Sequence, residues 1–329
     1  MEPPIVEIRQ LNVFFRNRFG EGVTRAVDGV DLDVFPGEMF SIVGESGSGK
    51  TTLGMVIAGL RSPTNDCIVK IDGERTSFRK RSYRKGLWRK VQMVFQDPYS
   101  SFNPLMTVVE SLTIPIVKYG IAKTPPEVRA ALEASLRDVG LGYEEILGKY
   151  PAELSGGQRQ RASIARAILV KPRLLIADEP ISMLDVSLRV EILNLLKRLK
   201  DLYSLTTIFI THDLGAAQYL GGRIAVMYRG QTMEIARPSQ LFESPLNPYT
   251  QVLLDAVPRL GARDWLGSRE GAQRAIDNDA FSECSFYPRC PRADSICATR
   301  RPPLTSHDQQ ADHLAACHFP LSRPPARKA

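Results

Sequence analysis

The sequence has no run of 18 or more uncharged apolar residues, which is about the length a helix needs to cross a membrane. Its first residues, Met1 to Pro4, offer neither the basic nor the apolar segment of a secretory signal peptide. We therefore expect a chain that neither spans a membrane nor is exported. Cysteine is also scarce, with five in 329 residues, which excludes a small scaffold held together by disulfides.

The rest of the composition is that of a globular protein. Apolar residues make up 43% and charged residues 24%, which excludes a disordered chain or a coiled coil. At about 150 residues per domain the length allows roughly two domains. The net charge of +7 is concentrated, because residues 75–90 hold eight basic residues and no acidic one. Such a run is typically a solvated face; contact with lipid headgroups or with a partner subunit is the alternative.

Strand and helix patterns alternate along most of the chain. We predict strands at 39–43, 174–177 and 206–210, and helices at 50–60, 124–147 and 186–203. The last of these helices carries its apolar residues on one stripe, the face expected to pack on a sheet. This alternation predicts a parallel α/β sheet. A hairpin is predicted around Arg229 and Gly230, between strands at 223–228 and 231–235.

A glycine-rich loop between the first predicted strand and helix matches the phosphate-binding pattern G-x-x-x-x-G-K-S/T. Glycines let the backbone curl so that successive N–H groups point at phosphate oxygens, at the positive end of the helix dipole. Lys50 can reach the β- and γ-phosphates, and the Thr51 hydroxyl can bind Mg²⁺. The residues predicted to contact the nucleotide here are Gly44, Glu45, Ser46, Gly47, Ser48, Gly49, Lys50, Thr51 and Thr52.

Two carboxylates end the apolar strand predicted at 174–177. Asp178 would hold Mg²⁺, which takes few protein ligands and keeps much of its water shell. Glu179 would face the attacking water as a general base. An isolated Asp-Glu pair after a strand is typically a solvated strand end. Beside a phosphate-binding loop, however, the pair predicts the metal-binding edge of the same site.

A second phosphate-binding device lies at residues 154–158, before a helix rich in Arg and Ala. Ser155, Gly156, Gly157 and Gln158 would offer free N–H groups and a hydroxyl at a helix N-terminus. Alone, this segment would be interpreted as a flexible turn with a capping serine. Two such devices in one chain predict that ATP is clamped between two protomers.

Taken in order, these motifs resemble the ATP-binding cassette of ABC transporters over about residues 5–258. The resemblance implies an α/β P-loop NTPase with a RecA-like core, an antiparallel β subdomain and a helical signature subdomain at about 97–170. It also implies that Gln96 senses Mg²⁺ and couples to the membrane subunit, that Asp185 communicates across the dimer, and that His212 contacts the γ-phosphate. Either Phe15 or Phe19 would stack on adenine.

Longer segments at 96–104, 245–250 and the C-terminus resemble the oligopeptide and dipeptide importers within that family. Ile181 and Met183 stand where the family more often has Thr and Ala, but Asp185 is kept. The resemblance implies ATP-driven peptide import from the cytoplasmic face of the inner membrane. The implied partners are a second, paralogous cassette, two transmembrane permease subunits and an extracytoplasmic solute-binding protein. No nucleic-acid partner is expected.

The C-terminal segment 284–320 has a different chemistry from the cassette, and we expect a linker at 259–283 before it and a disordered tail at 321–329 after it. Its cysteines follow the spacing C-x5-C-x6-C-x19-C, unlike the paired C-x2-C of zinc ribbons. A reducing compartment makes metal ligands more plausible than disulfides, and four soft thiolates suit an iron–sulfur cluster or zinc. The family resemblance favours a 4Fe–4S cluster, with zinc or no metal as alternatives. The proposed ligands are Cys284, Cys290, Cys297 and Cys317.

Several other functions compete with peptide import. A soluble ABC ATPase acting on nucleic acid would need a long heptad insertion or a second cassette, and the sequence shows neither. An ATPase serving iron–sulfur assembly would hold a labile, transferable cluster. An exporter would give no reason for the importer-like segments. Importers of other solutes, such as nickel or oligosaccharides, stay open because no pocket of this chain is expected to touch the solute.

Overall fold

The computed structural model describes residues 2–16, 22–78, 80–97, 101–256, 282–306 and 312–321. Phe19, most of the expected linker and nearly all of the expected tail lie outside these ranges. No helix of the described ranges has both the length and the apolar character needed to cross a bilayer.

A small antiparallel sheet is built by the N-terminal part of the chain. Its strand order is β2-β1-β4-β5. Residues that alternate along β1 are buried against the core, and the opposite face carries ion pairs such as Arg9–Asp33. The strands are β1 (Val6–Arg16), β2 (Val23–Val34), β4 (Ile68–Ile71) and β5 (Glu74–Arg75).

A larger sheet of eight strands forms the centre of the molecule, in the order β11-β12-β10-β9-β3-β8-β7-β6. The neighbours from β6 to β9 pair in parallel, as predicted, whereas β10, β11 and β12 extend the sheet in antiparallel fashion. The predicted hairpin is confirmed by the pairing of Gln231 with Tyr228. The strands are β3 (Met39–Val43), β6 (Val91–Val94), β7 (Leu174–Asp178), β8 (Thr206–Thr211), β9 (Arg223–Tyr228), β10 (Gln231–Ala236), β11 (Leu304–Ser306) and β12 (Leu314–Ala316).

Helices cover the sheet, and those between β6 and β7 in the chain share one hydrophobic core with it. In the first half they are α1 (Lys50–Ile57), α2 (Arg81–Lys90), α3 (Val108–Tyr119), α4 (Pro125–Asp138) and α5 (Tyr143–Ile146). In the second half they are α6 (Gly156–Ile168), α7 (Val186–Tyr203), α8 (Leu214–Leu220), α9 (Pro238–Glu243), α10 (Pro248–Asp255) and α11 (Ser295–Thr299).

Two helix predictions are wrong in their extent. The helix predicted over 50–60 ends at Ile57. The helix predicted over 124–147 ends at Asp138, and only the short α5 resumes it. Gly140 adopts a φ of 72°, the left-handed conformation that commonly ends helices. The helix predicted over 186–203 is confirmed as α7, with Ile192, Leu196 and Leu199 buried on one face.

The C-terminal segment is fastened to the sheet by a buried polar network. Glu234 of β10 and His313 are both fully buried, and His313 Nε2 lies 2.6 Å from Glu234 Oε1. The two carboxylate oxygens of Glu234 also accept the N–H groups of Leu246 and Asn247 at 2.8 and 3.0 Å. The Asn247 amide in turn donates to the carbonyl of Ala316 at 2.9 Å. The bonds of His313 and Ala316 tie the C-terminal segment to β10 and to the segment before α10, and the two bonds from Leu246 and Asn247 join these two anchoring points to each other.

Candidate nucleotide-binding site

The predicted site residues follow parallel strands that end at one edge of the large sheet. Val94 is in register with Ala177, Asp178 with Ile210, and Val43 with Thr211. The segments that leave these strands therefore begin side by side. They carry Gln96, Asp178, Glu179, His212 and the loop that starts at Gly44. Parallel α/β sheets bind ligands at this edge.

The phosphate-binding loop has the backbone that its glycines predict. Gly44, Gly47 and Gly49 have φ values of 155°, 77° and 100°. A Cβ on Gly44 would lie 2.1 Å from the Met227 carbonyl oxygen, and one on Gly49 would lie 1.9 Å from that of Ala26. Side chains are excluded at both positions because the loop packs directly on neighbouring backbone. Its outer part, Glu45 to Gly47, is exposed, so its backbone is accessible to a ligand.

Lys50 is buried at the start of α1 and turns back onto the loop. Its Nζ donates to the carbonyl oxygens of Gly44 and Glu45, both at 2.8 Å, and lies 3.3 Å from Ser48 Oγ. Burial lowers the pKa of Lys50, while the carboxylates of Glu179, Asp178 and Glu45 oppose the shift. The ammonium thus lies at the centre of the loop, where phosphate oxygens would replace its neutral acceptors. Thr52 continues α1 and is half-buried.

Thr51 and Asp178 form a pair of oxygen ligands. The Thr51 hydroxyl donates to Asp178 Oδ1 at 3.0 Å. Burial raises the pKa of Asp178 to about 6, and the Glu179 carboxylate adds to the shift, whereas the Thr51 hydrogen bond and Lys50 oppose it. A hydroxyl and a carboxylate are the hard ligands that Mg²⁺ prefers, so the pair fits this ion.

Glu179 and His212 are in direct contact. His212 Nδ1 lies 2.9 and 2.8 Å from the two carboxylate oxygens, and the imidazole ring is largely exposed. The side chain of Glu179 is mostly buried, and its backbone has a φ of 49°. Such a conformation costs a residue with a side chain about 1–3 kcal/mol and is frequent at functional sites. The backbone N–H of Glu179, bonded to the Ile210 carbonyl at 2.9 Å, helps to hold it.

The second phosphate-binding device is a capped helix N-terminus. Ser155 accepts the N–H of Gln158 at 3.2 Å and its own N–H donates to Gln158 Oε1 at 3.1 Å, which forms a capping box at the start of α6. Ser155 and Gly156 are exposed, as is Asp185 at the start of α7. A Cβ on Gly157 would lie 3.3 Å from Leu188 of α7, so the two helix starts are neighbours.

The structure also shows a residue that the sequence did not single out. Arg159 is almost fully buried, and its guanidinium donates to the carbonyl oxygens of Pro151 at 2.8 Å and Leu154 at 2.6 Å. It therefore fixes the chain that leads into Ser155. Its position in an Arg-rich helix gave no local signal, because its acceptors are backbone carbonyls.

Two predicted contacts of the nucleotide are placed less centrally. Gln96 is exposed, two residues beyond the end of β6. Phe15 is half-buried, and the Arg61 guanidinium lies 4.4 Å from the centroid of its ring, so one ring face is covered. Phe19 lies outside the described residues.

All four C-terminal cysteines line one cavity, together with Phe286, Tyr287 and Phe319 among others. Burial raises the pKa of the thiols of Cys284, Cys290 and Cys317, that of Cys317 to about 11. Within the described ranges, no three His, Cys, Asp or Glu side chains are arranged to hold a single metal ion. Cys67 lies apart from the cavity and packs against the core of the small sheet.

Comparison with known proteins places these features in a family. The ABC transporter family matches residues 27–182, and the family described as "Oligopeptide/dipeptide transporter, C-terminal region" matches residues 233–297. The oligopeptide transport ATP-binding protein AppF of Bacillus subtilis is 37% identical over 326 residues, covering 96% of this chain and 97% of AppF. This chain belongs to the ATP-binding subunits of ABC transporters.

Other relatives support this assignment of the ABC subunit. The oligopeptide transport ATP-binding protein AmiF of Streptococcus pneumoniae is 44% identical over 261 residues, covering 78% of this chain and 83% of AmiF. A solved dimer of the ATP-binding cassette MJ0796 bound to ADP and Pi is 32% identical with a TM-score of 0.64, covering 71% of this chain and 98% of that one. The predicted ABC ATPase fold is thereby confirmed.

Proposed function

We propose that this ABC subunit hydrolyses ATP to drive the import of oligopeptides. The observation that carries the proposal is the similarity over nearly the whole chain, including the C-terminal region, to proteins named as oligopeptide transport ATP-binding proteins. The cassette would extend over residues 1–258, with its helical subdomain at about 97–170. It would work at the cytoplasmic face of the inner membrane with two permease subunits and an extracytoplasmic solute-binding protein.

In this proposal the residues at the sheet edge divide the work of hydrolysis. Lys50 and the loop N–H groups would bind the β- and γ-phosphates, and Thr51, Asp178 and Gln96 would hold Mg²⁺. When bound, Mg²⁺ neutralises phosphate charge. Glu179 accepts the proton of the attacking water, and its hydrogen bond to His212 fixes the orientation of the carboxylate. His212 then lies where it can contact the γ-phosphate.

The proposal includes a second cassette, which we expect to be a paralogue. Ser155, Gly156, Gly157 and Gln158 would contact the ATP bound by the partner cassette, and Asp185 would lie at the interface. This is supported by the exposure of Ser155, Gly156 and Asp185 next to each other. The relative solved as a dimer with ADP and Pi supports the pairing of two cassettes.

Peptide uptake by cells tests this function. In a strain that lacks the chain, the wild-type gene should restore uptake of a labelled oligopeptide and Lys50→Ala should not. Lys123→Ala is the matched control, since that lysine is exposed outside the site. Restored uptake of nickel or an oligosaccharide without restored peptide uptake would contradict the assigned substrate class.

For the C-terminal segment 284–320 we propose a 4Fe–4S cluster bound by Cys284, Cys290, Cys297 and Cys317. Four thiols around one cavity support it. Zinc, which four thiolates can also bind, is the alternative. Bound there, the cluster would be structural, since metal binding can supply folding energy to a short segment.

Metal analysis of protein purified without oxygen tests the cluster. We expect about four irons and four acid-labile sulfides per chain. Cys290→Ser should lose them, whereas Cys67→Ser, which alters a thiol outside the cavity, should keep them. One zinc per chain without sulfide would overturn the cluster in favour of zinc, and no metal at all would overturn both.

A further inference from the structure

An arginine of the C-terminal segment reaches the phosphate-binding loop. Arg289 lies in the single helical turn Tyr287–Arg289, between Cys284 and Cys290. Its Nη1 lies 3.3 and 3.4 Å from the two carboxylate oxygens of Glu45, the second residue of the loop. The same nitrogen donates to the Tyr228 hydroxyl at 3.2 Å. A residue 244 positions away in sequence thus holds the side chain of Glu45.

Three aromatic rings, those of Tyr228, Tyr249 and Phe286, pack together beside the contact between Arg289 and Glu45. The Tyr249 ring is buried, with its centroid 4.5 Å from that of Tyr228 and 5.3 Å from that of Phe286. The Tyr249 hydroxyl accepts the backbone N–H of Glu45 at 3.4 Å. Both the backbone and the carboxylate of Glu45 are therefore held by residues of the C-terminal third.

The hairpin turn between β9 and β10 adds a second connection. The Gly230 N–H donates to the Ser48 carbonyl of the loop at 2.9 Å. The next residue, Gln231, accepts the N–H of Ser285 at 3.0 Å and donates to the Glu283 carbonyl at 3.0 Å. The C-terminal segment thus contacts the loop directly through Arg289 and indirectly through this turn.

The charge of Glu45 matters for a phosphate ligand. Its carboxylate is close enough to Lys50 to oppose, together with Glu179 and Asp178, the lowering of the pKa of that lysine by burial. A carboxylate on a phosphate-binding loop repels the triphosphate unless a cation neutralises it and holds it aside. Arg289 is the cation in contact with it, and the side chains of Arg289 and Glu45 are 40% and 44% exposed.

We propose that Arg289 is a positioning residue for ATP binding: it neutralises and orients Glu45, so that the C-terminal segment sets the affinity of the phosphate-binding loop for nucleotide. The inference rests on the proposed function, because it requires that this loop binds ATP. It does not depend on which metal, if any, the cysteines bind.

ATP binding by five variants of the full-length chain tests the proposal: Arg289→Ala, Arg289→Lys, Glu45→Gln, the double variant and Arg300→Ala. Because the pair is partly exposed, Arg289→Ala should raise the dissociation constant for ATP only about two- to fivefold. The kcat at saturating ATP should be nearly unchanged. Arg289→Lys should restore binding. In a Glu45→Gln background, Arg289→Ala should increase the dissociation constant for ATP by less than half of the increase seen in the wild type, because the repelling carboxylate is gone. Arg300→Ala, an exposed arginine of the same segment, is the matched control.

Salt dependence distinguishes this role from a general loss of structure. The ratio of the dissociation constants of Arg289→Ala and wild type should approach one between about 0.05 and 0.5 M salt, since exposed charges are screened over this range. A ratio that does not change with salt, an unchanged penalty in the Glu45→Gln background, or equal affinities of Arg289→Ala and Arg300→Ala would overturn the proposal. Failure of the wild type itself to bind ATP would instead refute the proposed function.

Discussion

The sheet edge and the cysteine-lined cavity are two ligand sites built by different means. At the sheet edge, five parallel neighbours of a buried sheet fix where each polar residue begins, and the loop glycines fix the backbone. The cavity is lined by single residues from strands, short helices and loops that lie far apart in sequence, and the segment around it is fastened by isolated bonds such as Glu234–His313. The first site is therefore organised before any ligand binds, whereas the second depends on a few attachments and on its thiols.

The largest effect should fall on the chemistry of the sheet edge. We predict that Glu179→Gln lowers the rate of ATP hydrolysis by about 100- to 10,000-fold, because the amide cannot accept the proton of water. ATP binding should be kept, since Glu179 is not among the phosphate-binding groups. Phosphate release and nucleotide binding would be measured in parallel, with the exposed Glu243→Gln as control. Substantial residual turnover would refute the general-base role.

A second prediction concerns the attachment of the C-terminal segment. His313→Ala should lower the free energy of unfolding by about 3–5 kcal/mol, because it leaves the fully buried Glu234 without one partner of a buried pair. Denaturant unfolding measures the loss. Asp312→Ala is the matched control, since the neighbouring pair Asp312–Arg237 is exposed and such pairs contribute about 0–1 kcal/mol. Equal losses for the two variants would show that the buried pair does not fasten the segment.

The smallest effect is a pH dependence of Mg²⁺ binding by Asp178, which pairs with Thr51 at the sheet edge. Burial raises the pKa of Asp178 from 3.8 to about 6, so its proton is held to a higher pH than in the unfolded chain. Below about pH 6 the protonated carboxyl lacks the charge that attracts Mg²⁺. The dissociation constant for Mg²⁺ in the presence of ATP should therefore rise about fourfold between pH 7.5 and 5.5. In Asp178→Asn the dissociation constant for Mg²⁺ should not show this rise. If the wild type and Asp178→Asn gave identical pH profiles of this constant, Asp178 would not be the titrating Mg²⁺ ligand.

The sequence predicted which residues gather at the sheet edge and which cysteines line the cavity, but not the contacts that fasten the C-terminal segment, for a physical reason. Gly44, Lys50 and Asp178 satisfy local requirements of backbone curvature, charge and strand position, which appear at fixed spacing. By contrast, the pairs Glu234–His313 and Glu45–Arg289 join residues 79 and 244 positions apart. No local sequence pattern at one partner predicts the position of the other.

Local signals also had limits within the cassette. The break in the helix predicted over 124–147 was marked by Gly140, but the apolar spacing continued through it. The hydrogen bonds from Arg159 to backbone carbonyls could not be predicted, because a backbone acceptor does not depend on which side chain the residue carries. The segment at 245–250 was noticed only by resemblance, yet Asn247 and Tyr249 connect the C-terminal segment to the core and to the phosphate-binding loop.

Peptide-dependent ATP hydrolysis by the assembled transporter tests the central claim most directly. The subunit would be reconstituted in lipid vesicles with its permease subunits, its partner cassette and the solute-binding protein. We predict that hydrolysis rises several-fold when the solute-binding protein carries a peptide, and that the rise disappears when the permease subunits are omitted. A rate of ATP hydrolysis that changes with neither the peptide nor the permease subunits, or that rises with nucleic acid instead, would contradict the account.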